Sequence, residues 1–396
     1  MESKVQFASN SPNLYERNAT LDTIRGFSLL GILLVNVIGF YTPLPHIMLE
    51  FWFTNAKDII WHQTLDIYVQ GSFYPLFAML FGYGIAMQYD KAQQAGRNFY
   101  LFVPKRLLGL FVLGVLHAVL IWWGDILVMY AFCGLFLLGV IRFKPIVILA
   151  IGLVLNGIAH TLILSSMYSR GAFGVVIEKP ALDIIGIQDL ITAYGTGTWV
   201  DAFMQRLTDL TVQMSFDMFF TSIFTILPFI LIGAAFGKWH IVEKAKELKI
   251  LWIVLAVIFV AGGLLLKSAP YQLDYTYPLA YAKSYIGGPM LAFGYMALIT
   301  SLCLMKPIQK LLNPFAKMGR MSLTMYLMQS VICSVLFYNF GFGLFGKVDV
   351  LTGIFIAIGI FVAQIILAEL WLMKFNQGPV EALMKKIVYG KKLSEK

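Results

Sequence analysis

Charged residues are scarce in this sequence. They make up 13% of its 396 residues, against roughly 25% in soluble domains. Hydrophobic residues account for 59%, and a soluble fold of this length could not bury so much apolar surface. The sequence also has no Walker motif, GxSxG motif, HExxH motif or glycine-rich nucleotide loop. These absences argue against ATP-driven transport by this chain alone, and against Rossmann and zinc-protease chemistry.

Cysteine is nearly absent as well. Cys133, Cys303 and Cys333 each lie inside an apolar run, with no CxxC pair and no Cys/His metal spacing. Buried cysteines of this kind usually pack as small apolar side chains. We therefore expect neither redox chemistry nor a metal site.

Long apolar runs, by contrast, are abundant. Because a membrane span needs roughly 20 apolar residues, they predict an all-α polytopic membrane protein with about ten transmembrane helices. The predicted spans are 21–42, 64–89, 100–123, 125–141, 145–167, 207–237, 248–267, 284–305, 321–340 and 350–373. The span at 125–141 is short and follows a Gly124-Asp125 turn, so a single long re-entrant element with the preceding span is the alternative.

Three regions result from these spans. Residues 1–20 are polar and predict a cytoplasmic tail rather than a cleavable signal peptide. Residues 21–376 form the transmembrane helical domain, with an external loop at about 168–206 that contains the short helical segment IIGIQDLITAYG. Residues 377–396 form a basic tail.

Lysine and arginine provide an independent test of this topology. With the N-terminus inside, 23 of the 30 lysines and arginines fall in cytoplasmic segments and seven in external ones. The positive-inside rule therefore predicts that both termini are cytoplasmic. Because the positive charges are distributed by membrane side, topology also accounts for the net charge of +9. This charge therefore does not indicate a nucleic acid partner, and none is expected.

The tail predicts an amphipathic helix. Val380, Leu383, Met384 and Ile387 share one helical face, and lysines surround it. Such a helix is expected to lie on the anionic inner leaflet.

Polar residues inside the spans need an explanation, because a charge at membrane depth is costly. Asp22 and Arg25 are three residues apart in the first span and can pair on one helix face. Asn36 lies on the same face, about 16 Å deeper. Either this stripe has a function, or Asp22 and Arg25 form a structural ion pair and Asn36 hydrogen-bonds a neighbouring helix.

Histidines and aspartates concentrate near the predicted outer surface. His117 ends the third span, Asp125 follows at the turn, and His62 and Asp66 enter the second span from the same side. His46 lies in the first external loop. A histidine held by a carboxylate is the usual arrangement of a general base, so His117, oriented by Asp125 or Asp66, is the candidate.

Two further positions are candidates on weaker grounds. Arg106 opens the third span and either anchors it at the membrane surface or binds phosphates. Gln329 belongs to a polar face of the ninth span that is typical of contacts between helices. The tyrosines at 271, 275, 277, 281 and 285 suggest an interfacial aromatic belt or a sugar platform.

Five ordered blocks resemble the YeiB-like bacterial membrane family, catalogued as domain of unknown function 418. They are LDTIRGFSLLGILLVN, FYPLFAMLFGYG, RLLGLFVLGVLHAVLIWWGDILVMYA, GRMSLTMYLMQS and the terminal W-x3-F-x2-GPVEALMKKIVYG. The resemblance covers residues 17–392 and implies a multi-pass protein of the bacterial cytoplasmic membrane.

The first block is also similar to the opening helix of type 3 membrane acyltransferases and of the lysosomal heparan-glucosaminide N-acetyltransferase. That similarity implies an acyl-CoA donor, with acetyl-CoA as the first choice, and acylation of a sugar across the membrane. By resemblance, Asp22, Arg25 and Asn36 would line the donor path and Arg106 would lie near the CoA phosphates. Asn36 stands where type 3 enzymes have a histidine, and His46 lies about one residue from the external histidine of the lysosomal enzyme.

These observations lead to a hypothesis of acyl transfer from cytoplasmic acyl-CoA to an extracytoplasmic glycan or lipid-linked sugar. His117 would deprotonate the acceptor, and Asn36 would stabilise the oxyanion. Expected partners are membrane lipids and the acceptor, and a homo-oligomer is considered. The alternatives are a proton-coupled transporter or lipid flippase, which would use the same buried residues as a relay, and a non-catalytic scaffold.

Overall fold

The computed structural model describes residues 18–390, and every regular element of that range is helical apart from one β-bridge between Val176 and Thr276. The all-α prediction is confirmed. The helices in chain order are α1 (Ala19–Tyr41), α2 (Leu49–Trp52), α3 (Ala56–Tyr68), α4 (Phe73–Gln94), α5 (Phe99–Leu120), α6 (Leu127–Val140), α7 (Pro145–Ser169), α8 (Ile184–Leu190), α9 (Trp199–Gln213), α10 (Phe216–Trp239), α11 (Lys249–Gln272), α12 (Tyr277–Ala282), α13 (Gly288–Cys303), α14 (Lys306–Leu311), α15 (Asn313–Arg320), α16 (Ser322–Phe337), α17 (Val350–Lys374) and α18 (Pro379–Tyr389).

Seven helical segments of the described chain are long and apolar enough to cross a membrane. They are α1, α5, α7, α10, α11, α17 and the continuous segment Tyr277–Cys303, in which the π-helical turn Lys283–Gly287 joins α12 to α13. The bent pair α15–α16, with an 86° angle at its break, counts as an eighth if it forms one span. The chain is therefore a multi-pass membrane protein, while the number ten stays a prediction.

The predicted span 64–89 is divided in two. α3 ends at Tyr68 and α4 begins at Phe73. Between them Gly71 adopts φ +73°, and a β-carbon there would lie 3.1 Å from the carbonyl oxygen of Ser284. A left-handed glycine at a close backbone contact breaks the helix, which the average hydropathy of the run does not reveal.

Two other predicted spans also differ. α6 has 14 residues, or about 21 Å of helix, which is short of a hydrocarbon core of roughly 30 Å. The predicted span 207–237 includes the end of α9, an amphipathic helix that buries Ala202, Arg206 and Asp209. The apolar helix α10 begins only at Phe216. Segment 184–196 is helical, as expected, and its interfacial position stays a prediction.

Helix α1 lies in the middle of the bundle and contacts α4, α13, α15, α16 and α17. Its backbone touches α15 directly, because a β-carbon at Gly26 would overlap the carbonyl oxygen of Phe315, and one at Gly319 would overlap that of Asp22. Small residues allow such close approach of helices in membranes. This contact fixes the end of α1 that carries Asp22 and Arg25.

The amphipathic helix predicted for the tail is present as α18. It buries Met384 and Val388 and packs against α5 and α16, while Leu383 and Ile387 remain exposed. Its position on a leaflet stays a prediction. Residues 1–17 of the predicted N-terminal tail and residues 391–396 of the basic tail lie outside the described residues.

Candidate functional site

One end of the bundle, here called the terminal end, holds both Asn18 and Tyr389 beside a cavity of about 710 Å³. Six helices besides α18 line this basic cavity: α1, α4, α5, α6, α15 and α16. Along α4 the lining runs from Lys91 to Phe77, which is about 21 Å of helix. The cavity is therefore long and reaches from the terminal end deep into the bundle.

Cations outnumber carboxylates in the wall of the basic cavity. The basic side chains in the wall are Arg25, Lys91, Arg106, Arg320 and Lys385. Its carboxylates are Asp22 and Glu381. Asp22 accepts a hydrogen bond from Arg25 at 2.8 Å, and Glu381 accepts hydrogen bonds from the backbone of Leu323 and from Thr324. The side chains of Lys91 and Arg106 form no hydrogen bond or ion pair within residues 18–390 and are thus available to an anion.

Arg106 is the clearest anion-binding group in this wall. It is half-buried and lines the cavity, and it forms no hydrogen bond or ion pair with any residue in the range 18–390. Its neighbour Lys105 is exposed and does not line the cavity. Arg320 donates to the carbonyl oxygen of Asn376 at 2.9 Å, while its Nε atom is buried without a partner in the described chain.

The interior of the basic cavity is apolar. Phe77, Leu80, Phe81, Leu110 and Leu127 line it. A ligand that fills the cavity therefore needs an anionic end and a long uncharged portion.

His117 and Asp125 form a buried pair, and Tyr326 lies between this pair and the cavity. Nδ1 of His117 is 2.8 Å from Oδ2 of Asp125, and the other carboxylate oxygen accepts the N–H of Val128 at 2.8 Å. The His117 Nε2 atom is buried without a hydrogen-bond partner among the described residues. The ring of Tyr326, which lines the cavity, packs 5.3 Å from the imidazole.

The cluster of histidines and aspartates predicted at the opposite end, here called the far end, is divided into separate groups. Asp125, and not Asp66, orients His117. Asp66 instead accepts hydrogen bonds from Lys283 and Tyr271. The prediction that these residues form a single cluster was wrong, because the segments that carry them place their polar side chains against different neighbours.

His46 belongs to another of these groups. Its Nδ1 atom lies 2.7 Å from Asp183 at the N-terminus of α8. The N–H of Gly186 and the His46 ring hold the pKa of Asp183 below its ordinary value. This exposed pair joins the segment that begins α8 to the loop that carries His46, and it lines neither the basic cavity nor the smaller one described next.

A second cavity, the far cavity, has a volume of about 280 Å³. Leu34, Val35 and Ile38 of α1 form one wall, and His62 and Asp66 of α3 line another. On α1 these apolar positions are turned away from the Asp22 and Arg25 face, since nine residues at 100° each separate Arg25 from Leu34 by half a turn. The two cavities share no lining residue.

Like His46, His117 and Asp125, the predicted site residues Asn36 and Gln329 line neither cavity. Asn36 is half-buried and forms no side-chain hydrogen bond within residues 18–390. Gln329 donates to Gln364 at 2.9 Å, and Gln364 donates to the carbonyl oxygen of Met325 at 3.0 Å. Gln329 therefore joins α16 to α17, as the polar-face pattern indicated.

The sequence did not single out Lys91, Arg320, Glu381, Lys385 or Lys283. A signal for two of them was present, because Glu381 and Lys385 are four residues apart and share a face of α18. The predicted aromatic belt also has a more specific role, since Tyr271 donates to Asp66, and Tyr275 donates to Glu50 at 3.0 Å.

Known proteins resemble this chain along most of its length. The family model "Protein of unknown function (DUF418)" matches residues 236–391. "Uncharacterized protein YxaH" of Bacillus subtilis (strain 168) is 32% identical over 396 residues, which covers 94% of each chain. "Uncharacterized protein YeiB" of Escherichia coli (strain K12) is 29% identical over 393 residues, which covers 94% of this chain and 96% of the relative.

Proposed function

The chain belongs to the DUF418 (YeiB-like) family, and we propose that it is a transmembrane acyltransferase. It moves an acyl group from a cytoplasmic acyl-CoA to an extracytoplasmic glycan or lipid-linked sugar. The observation that carries the proposal is the long cavity with a basic end and an apolar interior. The terminal end is assigned to the cytoplasm of a bacterial cell because most lysines and arginines fall on that side.

The residues of the basic cavity fit a CoA thioester. CoA carries its phosphates at one end and a long uncharged arm at the other. Arg106, Lys91 and Arg320 would hold the phosphates, because cations without carboxylate partners bind such oxygens well. Phe77 and Leu110 would line the path of the uncharged arm and acyl group. The bound donor supplies an acyl group that is activated as a thioester.

His117 acts as the base in this proposal. The Asp125 carboxylate accepts a hydrogen bond from the Nδ1–H of His117, which leaves the lone pair of Nε2 available. A base in this orientation takes the proton of the attacking hydroxyl or amine as its oxygen or nitrogen bonds to the thioester carbon. The C–S bond then breaks, and the protonated Nε2 returns the proton to the departing CoA sulfur. Because His117 is only 1% exposed and the Tyr326 ring packs against it from the basic cavity, this ring must move aside before the thioester of the donor comes within reach of the base.

A lipid flippase or proton-coupled transporter is the second candidate. The amphipathic shape of the basic cavity also fits an anionic phospholipid, which is the cargo of a flippase. In that case Arg25 and Arg106 would bind the lipid phosphate, and no covalent step would occur.

The experiment is a titration of the protein in lipid nanodiscs with CoA and acetyl-CoA, followed by calorimetry. Arg106→Gln is the test variant and Lys105→Gln the matched control, because the two cations are adjacent and only Arg106 lines the cavity. We expect saturable binding that weakens about tenfold or more in Arg106→Gln, since a hydrogen bond to a charged group contributes about 1.5–3 kcal/mol. Lys105→Gln should bind like the parent protein.

Absence of saturable binding, or an equal loss in both variants, would contradict acyl-CoA binding at this cavity. Movement of a fluorescent anionic phospholipid in proteoliposomes, without CoA binding, would favour the flippase.

A further inference from the structure

The polar groups that line the far cavity differ in whether they already have hydrogen-bond partners. Glu50 and Asp66 both accept hydrogen bonds from Lys283, at 3.3 Å in the case of Glu50. Tyr271 donates to Asp66, and Tyr275 donates to Glu50. Both carboxylates are therefore already paired with a buried cation and a phenol.

His62 differs from these groups. The residue is 7% exposed and lines the far cavity, and it forms no hydrogen bond within residues 18–390. The ring of Phe53 packs 5.4 Å from the imidazole. The imidazole is thus nine-tenths buried and lines the cavity without a hydrogen-bond partner among the described residues. A ligand in the cavity can supply that partner.

The charge state of His62 indicates which ligand chemistry it suits. Burial lowers the pKa of His62, although the carboxylates of Asp66 and Glu50 act in the opposite direction. At neutral pH the ring is therefore uncharged, with one N–H donor and one nitrogen acceptor. Such a ring matches a hydroxyl group, which also donates and accepts, better than it matches a phosphate or a carboxylate.

The remaining walls of the far cavity are aliphatic. Leu34, Val35 and Ile38 of α1 face the cavity together with Ile47 and Leu49 of the first loop. The volume of about 280 Å³ is roughly twice that of an engineered cavity known to hold benzene. It accommodates a sugar ring together with a short aliphatic segment, and a longer chain would extend beyond the cavity.

We propose that the far cavity is a binding site for a neutral molecule that joins a hydroxyl group to an apolar portion, and that His62 is its hydrogen-bonding partner. Within the acyltransferase this ligand is the acceptor, and that part of the inference rests on the proposed function. The binding site itself does not depend on it.

The chemistry of the site also explains why a charged ligand is disfavoured. Lys283 neutralises one of the two carboxylates, and the fully buried Lys267, which donates to the carbonyl oxygen of Gln70, supplies a second positive charge. The two lysines thus balance Glu50 and Asp66. An added charge would enter a buried site with no counter-ion left for it, at a considerable desolvation penalty.

The experiment uses the full chain in lipid nanodiscs, without any acyl donor. The probes are octyl β-glucoside, which is neutral and hydroxylated, octylamine, which is cationic, and octanoate, which is anionic. Each is titrated against protein-loaded and empty nanodiscs, so that partition into lipid is subtracted. We expect saturable binding of octyl β-glucoside alone.

Three variants test the location of the site. His62→Leu should weaken binding of octyl β-glucoside at least tenfold, and Val35→Phe should abolish it by filling the apolar part of the cavity. Gln63→Leu, on the same helix but outside the cavity, should bind like the parent protein. Thermal midpoints identify any variant that fails to fold, and Val35→Phe tests the site while it keeps His62.

Equal affinity in His62→Leu and the parent protein would overturn the proposal, as would saturable binding of octylamine or octanoate. CoA titration of the same nanodiscs separates this result from the proposed function. Binding of the glucoside without binding of CoA would sustain the far site and contradict the acyltransferase. The reverse result would remove the far site and leave the donor site supported.

Discussion

Nδ1 of His117 lies 2.8 Å from the carboxylate of Asp125, although His117 belongs to α5 and Asp125 to the turn before α6. Asp125 precedes α6 and accepts the N–H of Val128 with its second oxygen. The carboxylate thus orients the imidazole and caps the first turn of α6 at once. Because one side chain has both roles, its substitution should be chosen so that the two effects can be separated.

Asp125→Asn makes this separation. The amide keeps an oxygen for the Val128 N–H but can donate to Nδ1 of His117, which moves the imidazole proton to Nε2. We expect acyl transfer to fall at least a hundredfold, in line with the loss of a general base, while CoA affinity stays within about twofold. The measurement is incorporation of labelled acetyl groups into the extracytoplasmic glycan and lipid of membrane vesicles. Full activity in Asp125→Asn would remove His117 from its role as base.

Gly26→Ala should destabilise the protein strongly. Its β-carbon would overlap the carbonyl oxygen of Phe315, so α1 and α15 would have to separate. Overpacking of this kind typically costs about 1–3 kcal/mol, and we expect a clear drop in the thermal midpoint in detergent. Gly157→Ala is the control, because a β-carbon there meets nothing within 4 Å and alanine favours the helix. A similar midpoint for the two variants would show that the α1–α15 contact is looser than described.

Lys283→Met should destabilise the far end of the bundle by about 3–5 kcal/mol, because it leaves two carboxylates without their buried cation. The double variant Lys283→Met/Asp66→Asn should recover part of this loss, since one of the uncompensated charges is gone. Thermal midpoints measure both effects, with the exposed Lys179→Met as control. A lower thermal midpoint in the double variant than in Lys283→Met would show that the uncompensated carboxylate of Asp66 is not the cause of the destabilisation.

Acid should release the contact between His46 and Asp183. The pKa of Asp183 is lowered in the folded protein, first by the N–H of Gly186 and then by His46. The stabilisation is therefore present above the ordinary aspartate pKa, and it is lost as the pH falls through that value toward the lowered one. Hydrogen exchange of residues 184–190, corrected for the intrinsic rate, should increase in that range. Asp183→Ala, which has no oxygen for the Gly186 N–H or the His46 ring, should exchange quickly at neutral pH already, and protection in this variant would contradict the assignment.

Local patterns in the sequence predicted the parts of the site that depend on one helix or one turn. Asp22 and Arg25 are three residues apart, so their pairing follows from helical geometry. His117 and Asp125 flank a single turn, but the sequence left open whether Asp125 or Asp66 orients the histidine. The division between α3 and α4 was missed because hydropathy averages over Gly71, whose conformation rather than its polarity breaks the helix.

Contacts between distant helices could not be predicted in the same way. Asp66 and Lys283 are 217 residues apart, and nothing in either segment indicates which faces of α3 and α12–α13 meet. The same holds for α18, whose pattern suggested a helix at the membrane surface. Its Glu381 instead accepts hydrogen bonds at the start of α16, and its Lys385 faces the cavity.

The participation of α18 has a consequence for how the protein is made. Asn18 and Asp22 at the start of the described chain share a wall with Lys385 and Tyr389 near its end. All the other helices of the bundle are therefore synthesised before the residues of α18 that complete this cavity. Nascent chains arrested before Pro379 would hold an open, unfinished cavity, so a ligand of the basic cavity would bind only in the last stage of biogenesis.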